Sequence, residues 1–231
     1  MSTETEIPRA TTSPKKYFGW SALLTGLARM WRATVPALIF IVANAVLQAL
    51  MVLSDPLVGL NVAFITGLIA SVVFMAVTAA ILTSAGLLAV AGPAGFNAVY
   101  RHASKNFVWF CIWAALQAVV VSIGYAFYTW PGVILWALTV FVPLAAMAGE
   151  RNPIAANFTA IGSHWIHWIL TIIFIGFMGF VAWLLSAVTD FFVGGFVGSF
   201  VTCLAVGILA WWWVTAWAAI FRSRRGAFSG F

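Results

Sequence analysis

The sequence predicts an all-α integral membrane protein: six transmembrane helices arranged as three helical hairpins, each preceded by a short interfacial elbow helix. Three observations carry that reading. Of the 231 residues, 64% are hydrophobic and 7% are charged, with a mean hydropathy of +1.08, whereas soluble domains hold about 25% charged residues. Six apolar runs are each long enough to cross about 30 Å of hydrocarbon, which takes about 20 helical residues. The basic residues all fall on one side of the alternating topology those runs define.

The first twenty residues, MSTETEIPRATTSPKKYFGW, are polar and rich in Thr, Ser and Pro. They lack the apolar centre of a signal peptide, so a disordered cytoplasmic tail is expected there. The spans follow at about 34–53, 61–90, 106–127, 131–149, 165–187 and 196–221 within a membrane domain covering 21–225, and a short cytoplasmic tail covers 226–231. Turn chemistry separates them, in SDPLVG, AGPAG, YTWPG, GERNP and VTDFFVGG.

With the tail inside the cell, all eleven Lys and Arg are cytoplasmic, and the outer stretches hold Asp55 and Asp190 without a base. This is the positive-inside pattern, and it predicts a multi-pass protein of the inner (plasma) membrane with both termini cytoplasmic. The net charge of +6 and pI near 9.9 therefore belong to topology rather than to nucleic acid, and no nucleic-acid partner is expected.

The units repeat. TGLARMWRATVPALIFIVANAVLQAL (25–50) aligns without a gap over AGFNAVYRHASKNFVWFCIWAALQAV (94–119), matching Gly26 with Gly95, Trp31 with Tyr100, Arg32 with Arg101 and Gln48 with Gln117. A weaker copy begins at Asn157, with Phe158 under Phe96 and His164 under His102. The repeat units run about 21–92, 93–150 and 151–225. Each starts with a segment mixing small, aromatic and basic residues, the composition favoured at the headgroup level. Trp31, Tyr100, Trp165 and Trp168 are the expected interfacial anchors. Arg29, Arg32, Arg101, Lys105, Arg151, Arg222, Arg224 and Arg225 form the expected ring for anionic headgroups or an acidic partner.

SHWIHW is the third elbow, where the first has RMWR and the second YRHASK; on a helix His164 and His167 share a face there, as do Trp165 and Trp168. A metal or haem would need further ligands, and only His102 and Glu150 lie on the same membrane side, so anchoring is the expected role, with protonation of the imidazoles adding attraction to anionic lipid. Cys111 and Cys203 lie in apolar runs and read as small hydrophobes. No Ser/His/Asp set can be assembled, because both outer carboxylates lie opposite all three histidines. No enzymatic activity and no cofactor are expected.

The membrane interior holds no ionisable pathway of the kind that marks pumps and ion-coupled carriers. Its polar side chains include Asn44, Gln48 and Gln117, expected to hydrogen-bond between helices. A cavity lined by those three would instead favour a transporter or flippase for a lipid-like or neutral solute. The leading expectation is a non-enzymatic module with membrane lipids as partners, either organising lipid or serving as an accessory subunit of a larger membrane complex.

The stretch WALTVFVPLAAMAGERNPIAANFTA (136–160), through Phe141, Val142, Pro143, Glu150, Pro153 and Ala156, resembles a segment of many uncharacterised bacterial multi-pass proteins. With the repeat and the closing FRSRR, the chain is similar to the six-span group that includes the membrane domain fused to some glycerophosphodiester phosphodiesterases. That resemblance implies a membrane module without known catalysis; the phosphodiesterase of that group is a separate soluble barrel with metal-binding carboxylates, which this chain lacks. The Ser usual in that group's third elbow would fall near Thr159 or Ser163.

Overall fold

The computed structural model describes residues 19–53, 62–192 and 194–223. All regular structure among them is helical: α1 (Gly19–Met30), a 3-10 turn (Trp31–Ala33), α2 (Thr34–Leu53), α3 (Val62–Ala91), α4 (Phe96–Phe127), α5 (Thr129–Thr139), α6 (Val142–Met147), α7 (Pro153–Ser163), α8 (Trp165–Phe192) and α9 (Gly195–Ser223). Six stretches are long and apolar enough to span a bilayer, with α1–α2 forming the first and α5–α6 the fourth. The tails 1–18 and 224–231, the loop around Asp55 with Asn61, and the side chain of Asp190 lie outside what is described.

Consecutive spans pack on one another, α2 on α3, α4 on α5 and α6, α8 on α9. The last helix is the hub, lying against α1, α2, α3 and α8. Close approach is made possible by glycine: a Cβ on Gly26 would come within 2.8 Å of the Ala216 backbone, and one on Gly207 within 2.6 Å of Ile41. Between α4 and α5 the same role falls to Gly124, whose Cβ would sit 2.9 Å from the Gly132 backbone.

The main core gathers Ala22, Leu87, Phe110, Phe141, Met147, Ala160, Ile220 and Phe221 from α1, α3, α4, α6, α7 and α9. Most of these lie toward the end of the bundle that carries Arg29, Arg32, Arg101, Lys105, Arg151 and Arg222, here called the basic end. Toward the opposite end, α8 leaves Phe177, Phe180, Trp183 and Val188 exposed, as expected of surface that faces lipid.

Breaks follow local chemistry. Pro36 has no N–H for the carbonyl of Arg32 four residues earlier; Ala94 N donates to that carbonyl instead, at 2.9 Å, joining the α3–α4 loop to the start of α2. The segment expected as a second separate elbow is continuous with its span. At 32 residues, α4 is about 48 Å long, well over the 30 Å of hydrocarbon. In the third unit a separate helix, α7, is opened by Pro153 with the Asn152 side chain capping Ala155 N and closed at His164 (φ −140, ψ 40); SHWIHW, expected as the third elbow, is no separate helix but straddles the end of α7 and the first turn of α8.

Candidate functional site

Two regions concentrate the polar chemistry. The first is the basic end. Arg29 donates from Nη1 to the Val90 carbonyl at 2.8 Å, so this guanidinium caps the last turn of α3, where a cation also suits the helix dipole. Arg32, Arg101, Lys105 and Arg151 are exposed and form no side-chain hydrogen bond or ion pair with another described residue. Arg222 is half-buried at the end of α9, close enough, like Lys105, for its charge to act on the His102 ring. Arg224 and Arg225 lie outside the described residues.

The aromatic residues divide. Trp31, Tyr100 and Trp165 are 63%, 56% and 57% exposed at this end, and Tyr100 stacks on Phe96 with ring centroids 6.3 Å apart. Trp168 does not stand with them: it is half-buried against the core, and its indole N–H donates to the Ala137 carbonyl at 3.0 Å. Trp109 and Trp212 act alike, donating to the Glu150 and Leu23 carbonyls at 3.2 and 2.9 Å.

The histidines of SHWIHW stack on each other, with ring centroids 5.7 Å apart and planes inclined by 7°. Ser223 Oγ lies 3.0 Å from His164 Nε2 and donates to the Ile220 carbonyl at 2.7 Å. Its single proton being engaged there, it accepts from His164, which fixes the Nε2–H tautomer. Burial, and then the neighbouring His167, hold the His164 pKa below its ordinary value, so near neutral pH this ring is uncharged and adds no attraction to anionic lipid. His102 is engaged elsewhere, its Nδ1 3.1 Å from Ser84 Oγ. Among the described residues no three of His, Cys, Asp and Glu converge as ligands would.

The second region is the break between α5 and α6, unseen in the sequence because the whole of 131–149 reads as one apolar span. Pro143 has no N–H to give the Thr139 carbonyl, and Gln117 Nε2 of α4 donates to it at 3.0 Å. Phe141 turns its N–H to Asn157 Oδ1 of α7 at 3.0 Å, and Asn157 Nδ2 donates to the Leu138 carbonyl at 2.7 Å. The Ala137 carbonyl takes the Trp168 indole of α8. Irregular backbone at membrane depth is tolerated only where protein or water satisfies it, and here side chains of three other helices do so.

Gln48 and Gln117, equivalent in the repeat, make equivalent bonds. Gln48 pairs with Ser71 of α3 at 2.8 Å, 23 residues on, and lies 3.4 Å from Asn44 Oδ1; Gln117 reaches Thr139, 22 residues on. Each ties a span to the one that returns from it. A cavity of ≈ 260 Å³ beside the break is lined by Thr83, Gln117, Trp136, Pro143, Leu144 and Trp217 among others, without Asn44 or Gln48. That cavity does not bring the three polar residues together.

Asn157 is the residue sequence reasoning missed. It is fully buried, and the signal in the sequence, Pro143, points only to the freed Thr139 carbonyl that Gln117 takes, not to the Phe141 N–H and Leu138 carbonyl that Asn157 serves. Compared with protein-family models, with curated proteins and with solved structures, the chain matches none.

Proposed function

We propose that this chain is a non-enzymatic integral membrane module that gathers anionic lipid at its basic end, on its own or as the accessory subunit of a larger membrane complex. The observation that carries the reading is the set of four exposed bases without ion-pair partners among the described residues, Arg32, Arg101, Lys105 and Arg151, at the same end as three exposed aromatics. Each juxtamembrane base adds about 1 kcal/mol of attraction to an anionic surface within a Debye length of roughly 8 Å. In this reading α1 with its 3-10 turn, the first turns of α4, and the end of α7 with SHWIHW are the interfacial elbows of three hairpins, and both termini are cytoplasmic in the plasma membrane. The resemblance to the six-span group points the same way.

Native mass spectrometry of gently extracted protein tests it. The expected result is co-purifying anionic lipid that falls in an Arg32→Gln/Arg101→Gln variant with unchanged topology, since nine other bases remain of the eleven. Unchanged lipid and partner retention in that variant would leave the bases only a topological role.

A second reading, transport of a lipid-like or neutral solute, draws on the discontinuous α5–α6 beside its cavity, since broken helices mark many transporter sites. Against it, the break's backbone groups and the Gln117 amide are occupied by other helices. Reconstituted protein that moves fluorescent lipid between leaflets, and stops on Gln117→Leu, would favour transport over the module.

A further inference from the structure

The cavity of ≈ 260 Å³ beside the α5–α6 break is shared by five helices. Thr83 of α3, Phe110 and Gln117 of α4, Trp136 of α5, Pro143 of α6 and Trp217 of α9 form much of its wall. All of them belong to stretches that can span a bilayer. Gln117 lies about 18 Å along α4 from Lys105, and Trp217 about 8 Å along α9 from Arg222, so the cavity lies within the spans, inward of the basic end. It is partly open.

No ionisable side chain lines it, so a charged ligand would meet no counter-charge there. The wall is mostly apolar, and its polar groups are specific. Gln117 Nε2 is held by the Thr139 carbonyl and hydroxyl at 3.0 and 3.2 Å. Because a carbonyl can only accept, the amide nitrogen must face it, which leaves Oε1 over. That oxygen has no donor among the described residues, and packing does not enclose it. Thr83 gives its proton to the Ala79 carbonyl at 2.7 Å, so its hydroxyl too can only accept from a ligand. Trp136 and Trp217, with ring centroids 6.2 Å apart, carry indole N–H groups without an acceptor among the described residues. The lining residues thus combine two acceptors that have no proton to give with two unused donors. Among uncharged lipid groups a hydroxyl serves both kinds, whereas an ether, ester or hydrocarbon leaves Gln117 Oε1 unpaired.

We infer that this cavity binds the hydroxyl end of an uncharged lipid alcohol, the hydroxyl donating to Gln117 Oε1 and the first carbons packing against Phe110, Trp136 and Trp217. The rest of the chain leaves through the open side. A space below the roughly 300–1,000 Å³ of drug-sized sites suits the end of a chain rather than a whole lipid. Water is the poorer occupant, since an enclosed water wants about three polar partners and most of this wall is apolar. The site is separate from the basic end and stands whether or not anionic lipid gathers there.

The test uses the full chain in phosphatidylcholine nanodiscs, with hexadecanol carrying a diazirine a few carbons from its hydroxyl as the probe. Labelling on illumination is mapped by peptide mass spectrometry and expected in 110–117, 136–144 or 214–217. Unlabelled hexadecanol is expected to compete roughly tenfold better than its methyl ether, which keeps the chain and the acceptor but leaves Oε1 without a donor. Gln117→Met is expected to erase that preference while labelling persists. Ala79→Phe and Ala114→Phe, which fill the cavity from α3 and α4 and leave Gln117 in place, are each expected to lower labelling roughly tenfold in protein that unfolds at the wild-type temperature. Labelling that does not saturate or maps elsewhere overturns the site and leaves the cavity to water. Equal competition by the ether, a preference that survives in folded Gln117→Met, or undiminished labelling in both folded filling variants overturns it as well.

Discussion

Pro143 shows how one residue shapes its surroundings. Lacking an N–H, it leaves the Thr139 carbonyl to the Gln117 amide. Gln117→Leu is expected to lower stability by about 1 kcal/mol, within the range of interhelical hydrogen bonds in membranes. Adding Pro143→Ala, which restores an N–H four residues after Thr139, should recover part of that loss, read as non-additivity in thermal unfolding of the detergent-solubilised protein. His164 supplies a pH prediction. Its folded pKa lies below the unfolded value because of burial and His167, so its contribution is complete above about pH 6.5 and drains away as pH falls through the folded value. The midpoint of thermal unfolding should drop over that interval, and His164→Asn should flatten the slope.

Among elements, the seam between α1 and α9 depends on Gly26, where an added Cβ would sit 2.8 Å from the Ala216 backbone. Gly26→Val should cost about 1–3 kcal/mol, whereas Gly176→Ala, with open space around the new methyl, should leave stability level or raise it by up to about 1 kcal/mol. The six spans were legible because apolar length and Gly/Pro turns are local properties. The break in the fourth was not, because hydropathy averages over Pro143 and the donors that make the break tolerable sit on α4, α7 and α8. Trp168 was read as an anchor for a similar reason: a tryptophan near a span end suits either lipid or a carbonyl, and only the tertiary arrangement brings Ala137 within reach. The repeat, by contrast, foretold that Gln48 and Gln117 would do the same work.

Over the whole molecule, burial is densest toward the basic end and thin on α8. Local opening follows contact density, so hydrogen exchange in detergent should be slowest in α6 and the last turns of α9, and fastest in 176–188. Equal protection across α8 and α9 would contradict the uneven packing described here. The charge of the basic end was legible residue by residue, but which bases stay free was not. Arg29 is drawn to the Val90 carbonyl by a helix end that only folding brings beside it.

The place of α9 sets the order in which this protein can be completed. The helix against which α1, α2 and α3 pack is synthesised some 140 residues after α2 ends at Leu53. At 5–20 residues per second, the first hairpin, complete at Ala91, waits in the bilayer for roughly 5–20 s before α9 begins at Gly195. Through that interval Gly26, Ala37 and Ile41 present an unfilled surface to lipid or to the insertion machinery. A ribosome that stalls before residue 195 therefore leaves a nascent chain whose first three helices lack their shared neighbour, a distinctive target for membrane quality control.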